Sequence, residues 1–305
     1  RIRPLPTRGA AFSYPVGILE FQRGILKRTM NQNRTKQFKE RLAALNPEQR
    51  SAVDAIEGPV MVIAGPGTGK TETLALRIAN ILLNTQTHPS GVLALTFTDS
   101  GVAAMRTRLI ELIGTAGYYV NVFTFHSFCN DVIQRNQEEF PAYVGRTHCG
   151  ELERVRVLED LIRETPGLSL LKPFGEPLYY LRAVMQRIGG FKRDGVDVGA
   201  FERLLKRERA AVEAAGAREE VPHPRDARRV RDWEHELAKN EELLSLYRGY
   251  QERLAALKRY DYDDMILFVV RHMEENKDFL LRLQEQYQYI LVDEHQDTNR
   301  GQNNV

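Results

Sequence analysis

Cysteine is scarce in this sequence: Cys129 and Cys149 are the two in 305 residues. That is too few for a disulfide framework or a four-cysteine zinc or iron–sulfur site, so both are expected to be reduced and structural. Long apolar runs are missing too. None approaches the roughly 18 residues of a membrane-spanning helix, and the N-terminus lacks the apolar segment of a secretory leader. The expectation is a cytoplasmic protein with no membrane partner. No internal repeat of fixed period is present. Nor does one sign of charge dominate, since the formal net charge is +2, which alone gives no reason to invoke nucleic acid. What is there, 42% hydrophobic and 28% charged residues, is the composition of a globular protein with enough apolar material for one large domain or two ordinary ones.

The charge is unevenly spread. Residues 1–41 hold ten Lys/Arg against two acids, a local +8 that leaves −6 for the remainder. Two readings stay open. A basic arm holds phosphate through counterion release; alternatively, residues 1–29, ahead of the first methionine Met30 and carrying Pro4, Pro6 and Pro15, are an upstream extension or out-of-frame translation. Residues 1–44 are therefore set apart as an N-terminal basic extension.

Past Met30 a regular pattern begins. Phe38, Leu42 and Leu45 are spaced as on a short helix, and Asn46-Pro47 reads as a cap and first turn of the next. The apolar run Pro59–Ala64 then leads into a glycine-rich segment and a helix predicted over Lys70–Leu83, a strand–loop–helix unit. Two further apolar runs, Val92–Phe97 and Val120–Phe125, each precede helical pattern, and a fourth, Tyr289–Val292, comes late. A parallel α/β sheet follows from this alternation. Between these groups strand signals almost vanish. Charged amphipathic stretches at Glu151–Glu164, Leu178–Ile188, Phe201–Ala215 and Arg225–Arg259 predict an all-helical subdomain over 131–259, inserted between a first sheet segment at 45–130 and a second at 260–305.

The glycine-rich segment Ala64-Gly65-Pro66-Gly67-Thr68-Gly69-Lys70-Thr71 has the spacing of a phosphate-binding P-loop, with alanine in place of the usual first glycine. Gly65, Gly67 and Gly69 let the backbone turn its N–H groups toward phosphate oxygens. Lys70 is placed to reach the β- and γ-phosphates. Thr71 offers a hydroxyl to Mg²⁺, and the helix behind it presents its positive end to the same anion. A triphosphate site also needs carboxylates, and Tyr289–Val292 ends in two, Asp293 and Glu294. An acidic pair closing a strand is common by itself; the loop upstream gives it meaning. Asp293 is assigned to Mg²⁺, and Glu294 to orienting and deprotonating the attacking water.

These residues resemble superfamily 1 DNA helicases of the UvrD/Rep/PcrA family. Asp293-Glu-His-Gln-Asp-Thr-Asn299 is similar to their motif II, and Leu45-Asn-Pro-Glu-Gln49-Arg-Ser-Ala-Val53 to their adenine-reading Q motif. Leu95-Thr-Phe-Thr98 and Phe123-Thr-Phe-His126-Ser127 resemble motifs Ia and Ib, and Tyr260-Asp-Tyr-Asp-Asp264 the acidic-aromatic motif ahead of motif II. The match is good over 45–130 and 260–302; over 131–259 it is mainly positional. The resemblance implies a P-loop, RecA-like fold binding ATP and Mg²⁺. It implies Gln49 at the adenine edge, Gln296 reading the γ-phosphate, and Arg77 near the nucleotide, where a helix-surface salt bridge is an equal alternative. It implies single-stranded DNA, and junctions of single and double strand, at Thr96, Phe97, Thr98, Phe125 and His126, the phenylalanines reading equally well as core.

Three departures stand out. Asp99-Ser100 replaces the family's usual Asn-Lys, His295 replaces a Phe or Tyr, and Glu72 stands where arginine is common. The resemblance further implies a motif III strand, lying between the P-loop strand and the Asp-Glu strand, and a second motor domain whose arginines reach the γ-phosphate. Neither is in this sequence, so a gap in the sheet and negligible ATP hydrolysis by these residues alone are expected. The leading function is a 3′-to-5′ DNA helicase and DNA-dependent ATPase. The alternatives are a recombination helicase of the AddA or RecB kind, with a nuclease domain, and an ATP-gated DNA-binding module without turnover.

Overall fold

A computed structural model of the chain describes residues 32–216 and 224–305. Residues 1–31 lie outside these, so of the 1–44 extension only 32–44 are described, and most of the Val221–Pro224 turn lies outside as well. Among the described residues no helix is long and apolar enough to cross a membrane. The chain divides into two units. Unit 1 takes residues up to Thr124 together with Leu280–Gln296, and unit 2 takes Phe125–Phe279 with Asp297–Val305.

Unit 1 opens with helices α1 (Gln32–Ala43) and α2 (Pro47–Asp54), the second started by Pro47 and by a capping box between Asn46 and Gln49. Next come α3 (Lys70–Asn84), β1 (Val92–Thr96), α4 (Asp99–Ile113), the short α5 (Ala116–Tyr119) and β2 (Asn121–Thr124). All five residues of β1 are buried, as expected of a central parallel strand covered on both faces. Its neighbours are β2 on one side and, on the other, β5 (Tyr289–Val292), both parallel to it. Pairing Ala94 with Val122 and Leu291 aligns the three strands although β5 comes almost 170 residues after β2. Leu76, Ile78 and Ile81 of α3 and Leu109 and Leu112 of α4 close an apolar core with Val92 and Val122. At roughly 25 cal/mol per Å² of apolar surface removed from water, this burial holds the unit together.

One expected strand is corrected. Residues 59–64 form no strand, and Met61, Val62 and Ile63 are 83%, 53% and 88% exposed. β-branched apolar residues favour a strand only once a neighbouring strand satisfies their backbone, and the three-stranded sheet ends at β5. Residues 61–63 are thus apolar chain left in solvent.

Unit 2 is built of α6 (Phe125–Arg135), α7 (Glu151–Glu164), α8 (Leu181–Arg193), α9 (Val198–Gly216), the long α10 (Pro224–Ala256), α11 (Tyr262–Glu275) and the short α13 (Arg300–Asn303). A further helix, α12 (Lys277–Gln286), begins here and ends in unit 1. The segment 131–259 is not wholly helical. Thr147–His148 (β3) pairs in parallel with Arg259–Tyr260 (β4), a bridge too short to leave any alternation in the sequence. Leu158, Ile162, Leu246, Tyr247 and Tyr250 form the apolar centre. Beside them Lys192 is fully buried, its ammonium 2.6 Å from Asp261 and 2.7 Å from Asp264. Tyr250 donates to Asp261 at 3.1 Å and Gln251 to Asp264 at 2.9 Å. Desolvation pushes the Asp261 carboxyl up, but Lys192 and Arg154 outweigh it and hold it below the ordinary carboxylate range. For Asp264 desolvation wins and the shift is upward.

Candidate functional site

The loop between residues 64 and 70 is shaped by two glycines in the left-handed region, Gly67 at φ +74° and Gly69 at φ +78°, where an L side chain costs about 1–2 kcal/mol. A Cβ on Gly67 would meet nothing within 4 Å, so space over the loop stays open. The loop is braced by Thr68, whose hydroxyl donates to the Gly65 carbonyl at 2.8 Å. Gly65 and Pro66 are exposed and Ala64 half-buried.

Gly69 is also the N-cap of α3, and it provides no side-chain acceptor. Helices α2, α4 and α11 are each capped instead by a side chain, from Asn46, Thr98 and Asp261. The first-turn N–H groups of α3 therefore lack an internal cap at the end where the helix dipole is positive, with half-buried Lys70 beside them. Such an end is suited to an anion, and the residues present fit a phosphate group.

The acidic strand end meets this loop. The Asp293 N–H donates to the Leu95 carbonyl at 2.8 Å, extending the β1–β5 ladder by one residue and fixing Asp293 at the C-terminal edge of the sheet. There its carboxylate accepts from the Thr71 hydroxyl at 3.3 Å, across 222 positions of sequence. A hydroxyl and a carboxylate side by side are oxygen donors of the kind Mg²⁺ takes. Glu294 follows at φ +53°, a sparsely populated conformation for a non-glycine residue and one found at functional sites. Its N–H donates to Asp293 at 3.0 Å, and its carboxylate faces solvent. Gln296 is exposed in the 3₁₀ turn His295–Asp297.

Two expected nucleotide residues have other partners. Gln49 donates to the Thr68 carbonyl at 2.8 Å and accepts from the Asn46 N–H at 3.0 Å, tying the loop to α2. Arg77 makes neither a surface salt bridge nor a link to the loop; it donates to the carbonyls of Ala52 and Ala55 at the end of α2. Burial lowers its pKa. Glu72, the odd acid beside Thr71, is matched by Arg41 at 3.3 Å and Arg108 at 3.5 Å.

The residues expected to touch DNA divide between the units. In unit 1 Phe97 is 46% exposed and Thr96 is buried. Thr98 caps α4, accepting from the Gly101 N–H at 3.0 Å, and Asp99 stands in that helix's first turn, where a carboxylate suits the dipole. In unit 2 Phe125 is corrected to a core residue, because at 3% exposure it offers no face to a base. His126 is half-buried in a T-shaped contact with Tyr262, and desolvation lowers its pKa against the pull of Asp263. Two residues were passed over in the sequence. Gly101 is required by space, since a Cβ there would lie 2.2 Å from the Thr96 hydroxyl; a glycine inside a helical pattern was its only signal. Lys192 gave none, because a lysine on an amphipathic helix reads as solvated.

The sheet unit is thus an α/β arrangement of parallel strands in which an uncapped glycine loop faces an acidic strand end. Its family follows from comparison with known proteins. The UvrD/REP helicase N-terminal domain matches residues 45–305, and the chain belongs to that family. Two relatives are the ATP-dependent DNA helicases PcrA of Staphylococcus epidermidis and Staphylococcus aureus. Each is 29% identical over 258 residues, 85% of this chain and 30% of the relative. The chain therefore spans under a third of their length.

Proposed function

We propose that this chain is the ATP-binding portion of a DNA helicase, coupling ATP hydrolysis to movement along single-stranded DNA and to opening of duplex at a junction. The observation that carries the reading is the Thr71–Asp293 contact, which joins the glycine loop to the acidic strand end. The RecA-like description of unit 1 and the division into 45–130, 131–259 and 260–305 go with it. In this reading the α3 N-terminus and Lys70 bind the triphosphate, and Thr71 and Asp293 would hold Mg²⁺, which when bound would supply positive charge beside the phosphate oxygens. Glu294 orients the attacking water and takes its proton. Gln296 relays the state of the γ-phosphate; Phe97 and Thr98 of unit 1 and His126 of unit 2 are the DNA contacts, Thr96 being buried. Gln49 acts first by holding the loop, and its amide retains one N–H and one lone pair for adenine. A second motor domain supplies the arginines that typically contribute on the order of 10³–10⁵ in rate, so residues 1–305 alone turn over negligibly. Translocation runs 3′ to 5′, in DNA repair or replication.

The test is ATP hydrolysis by the full-length gene product with and without single-stranded DNA. Stimulation by DNA is expected. Glu294→Gln should lower kcat by about 10²–10⁴ while ATP binding persists. Turnover indifferent to DNA, or unaffected by Glu294→Gln, overturns the reading.

A further inference from the structure

Helix α2 is eight residues long, about two turns, too short to keep its own place in water. Its first turn carries Gln49, which donates to the Thr68 carbonyl of the glycine loop at 2.8 Å. The last carbonyls of a helix have no partner within it, and at the far end of α2 each finds one outside. Ser51 accepts from the Ala55 N–H at 3.1 Å and Asp54 from the Ile56 N–H at 2.9 Å. The carbonyls of Ala52, Val53 and Ala55 are taken by side chains of α3. Arg77 donates to Ala52 at 2.5 Å and also to Ala55, and Asn80 donates to Val53 at 3.0 Å.

Arg77 and Asn80 are three positions apart and so stand on one face of α3. Asn80 is 6% exposed. Its amide is oriented by Asn84, which donates to the Asn80 side-chain oxygen at 2.7 Å and leaves the nitrogen for Val53. Arg77 brings positive charge to the negative end of the α2 dipole. The chain just past α2 is tied to β5, where the Tyr289 hydroxyl donates to Glu57 at 3.1 Å.

These contacts close a ring. The glycine loop leads into α3 at Lys70, Arg77 and Asn80 cross from α3 to the end of α2, and Gln49 returns from α2 to the loop. Two parts of the site are therefore held differently. Lys70, Thr71 and the first-turn N–H groups belong to α3 itself and keep their place without α2. Gln49 owes its place to the cross-ties.

We infer that Arg77 and Asn80 are positioning residues for recognition of the nucleotide's base: by pinning α2 they set Gln49 against the adenine edge, and with it the preference for ATP over GTP. The inference rests on the ATP reading and gives Arg77 a task away from the nucleotide. Guanine presents a carbonyl where adenine presents an amino group, so an amide held one way round tells the two apart. The Gln49 amide is held so, its nitrogen on Thr68 and its oxygen accepting from the Asn46 N–H. Freed from these bonds it can turn over and suit either base.

Displacement of fluorescent N-methylanthraniloyl-ATP from the full chain by ATP, GTP and inorganic tripolyphosphate, with Mg²⁺ present, tests this. The parent is expected to prefer ATP to GTP. Arg77→Ala should weaken ATP binding about 2- to 10-fold, the value of one hydrogen bond to the base, and leave GTP and tripolyphosphate within about twofold of the parent. Arg77→Lys, which keeps a charged donor, should recover part of the loss. Gln49→Ala should lower the ATP-to-GTP ratio likewise, and adding Arg77→Ala to it should lower the ratio no further, because both act through one amide. If circular dichroism shows Arg77→Ala unfolded, Asn80→Ala is read by the same ratio. A brace that serves stability alone would weaken all three ligands alike. That result, losses that add to those of Gln49→Ala, or a parent indifferent to the base overturns the inference and leaves the phosphate site standing. A parent that binds neither N-methylanthraniloyl-ATP nor tripolyphosphate overturns the ATP reading as well.

Discussion

In the sheet unit the ionisable residues assigned to chemistry, Lys70, Asp293 and Glu294, sit at element ends and keep solvent contact. In the helical unit Lys192 and Asp261 are 0% exposed and Asp264 is 3% exposed. The first set is arranged around open space, with a helix end that no side chain caps; the second is satisfied internally, by one another and by Tyr250 and Gln251. Charges that keep solvent contact cost stability little when removed. Buried ones support each other so closely that losing one leaves the rest stranded in a low-dielectric interior.

The strongest way to break this contrast is to truncate a lysine in each unit. Lys192→Ala should destabilise unit 2 by about 3–5 kcal/mol, the usual cost of leaving buried carboxylates unpaired. The protein's one tryptophan, Trp233, lies in α10, so urea unfolding followed by its fluorescence reports on that unit. Lys70→Ala should change stability by no more than about 0.5 kcal/mol while abolishing ATP binding, measured by calorimetry. Equal destabilisation by the two would erase the distinction. A smaller effect is expected at the start of α4. There Thr98→Ala removes the cap on Gly101 and should cost about 0.5–2 kcal/mol, read as a lower urea midpoint by circular dichroism. If Thr98 also meets phosphate, DNA affinity falls by more than Thr98→Ser, which keeps the hydroxyl, would give. The least effect is expected of Glu72→Gln. Its ion pairs with Arg41 and Arg108 are part-exposed, and such pairs contribute about 0.2–1 kcal/mol, a loss that 0.5 M salt should largely hide.

Much of the sheet unit was legible beforehand. The apolar runs at 92–97, 120–125 and 289–292 contain β1, β2 and β5; β1, paired on both sides, is buried throughout, while β2 and β5 at the sheet edges are part-exposed. The helix after the glycine loop begins at Lys70 as expected, and α7 spans Glu151–Glu164 as its periodicity implied. The run at 59–64 misled because apolar residues say what a segment can bury and not whether a partner strand is beside it. Phe125 misled for a related reason. A phenylalanine at a strand end reads as base-stacking surface or as core with equal ease, and its 3% exposure belongs to the neighbours that cover it.

What the linear order of residues determined by itself was local chemistry: glycines where φ must be positive, a lysine and threonine opening a helix, two acids closing a strand, and a spacing shared with one helicase family. Those properties depend on near neighbours, so they survive being read as text. Folding decided which distant groups meet, namely Thr71 with Asp293, Lys192 with Asp261 and Asp264, and Tyr262 with His126. Contact between groups so far apart in sequence follows from strand register and helix docking, and neither leaves a mark on the residues that are brought together.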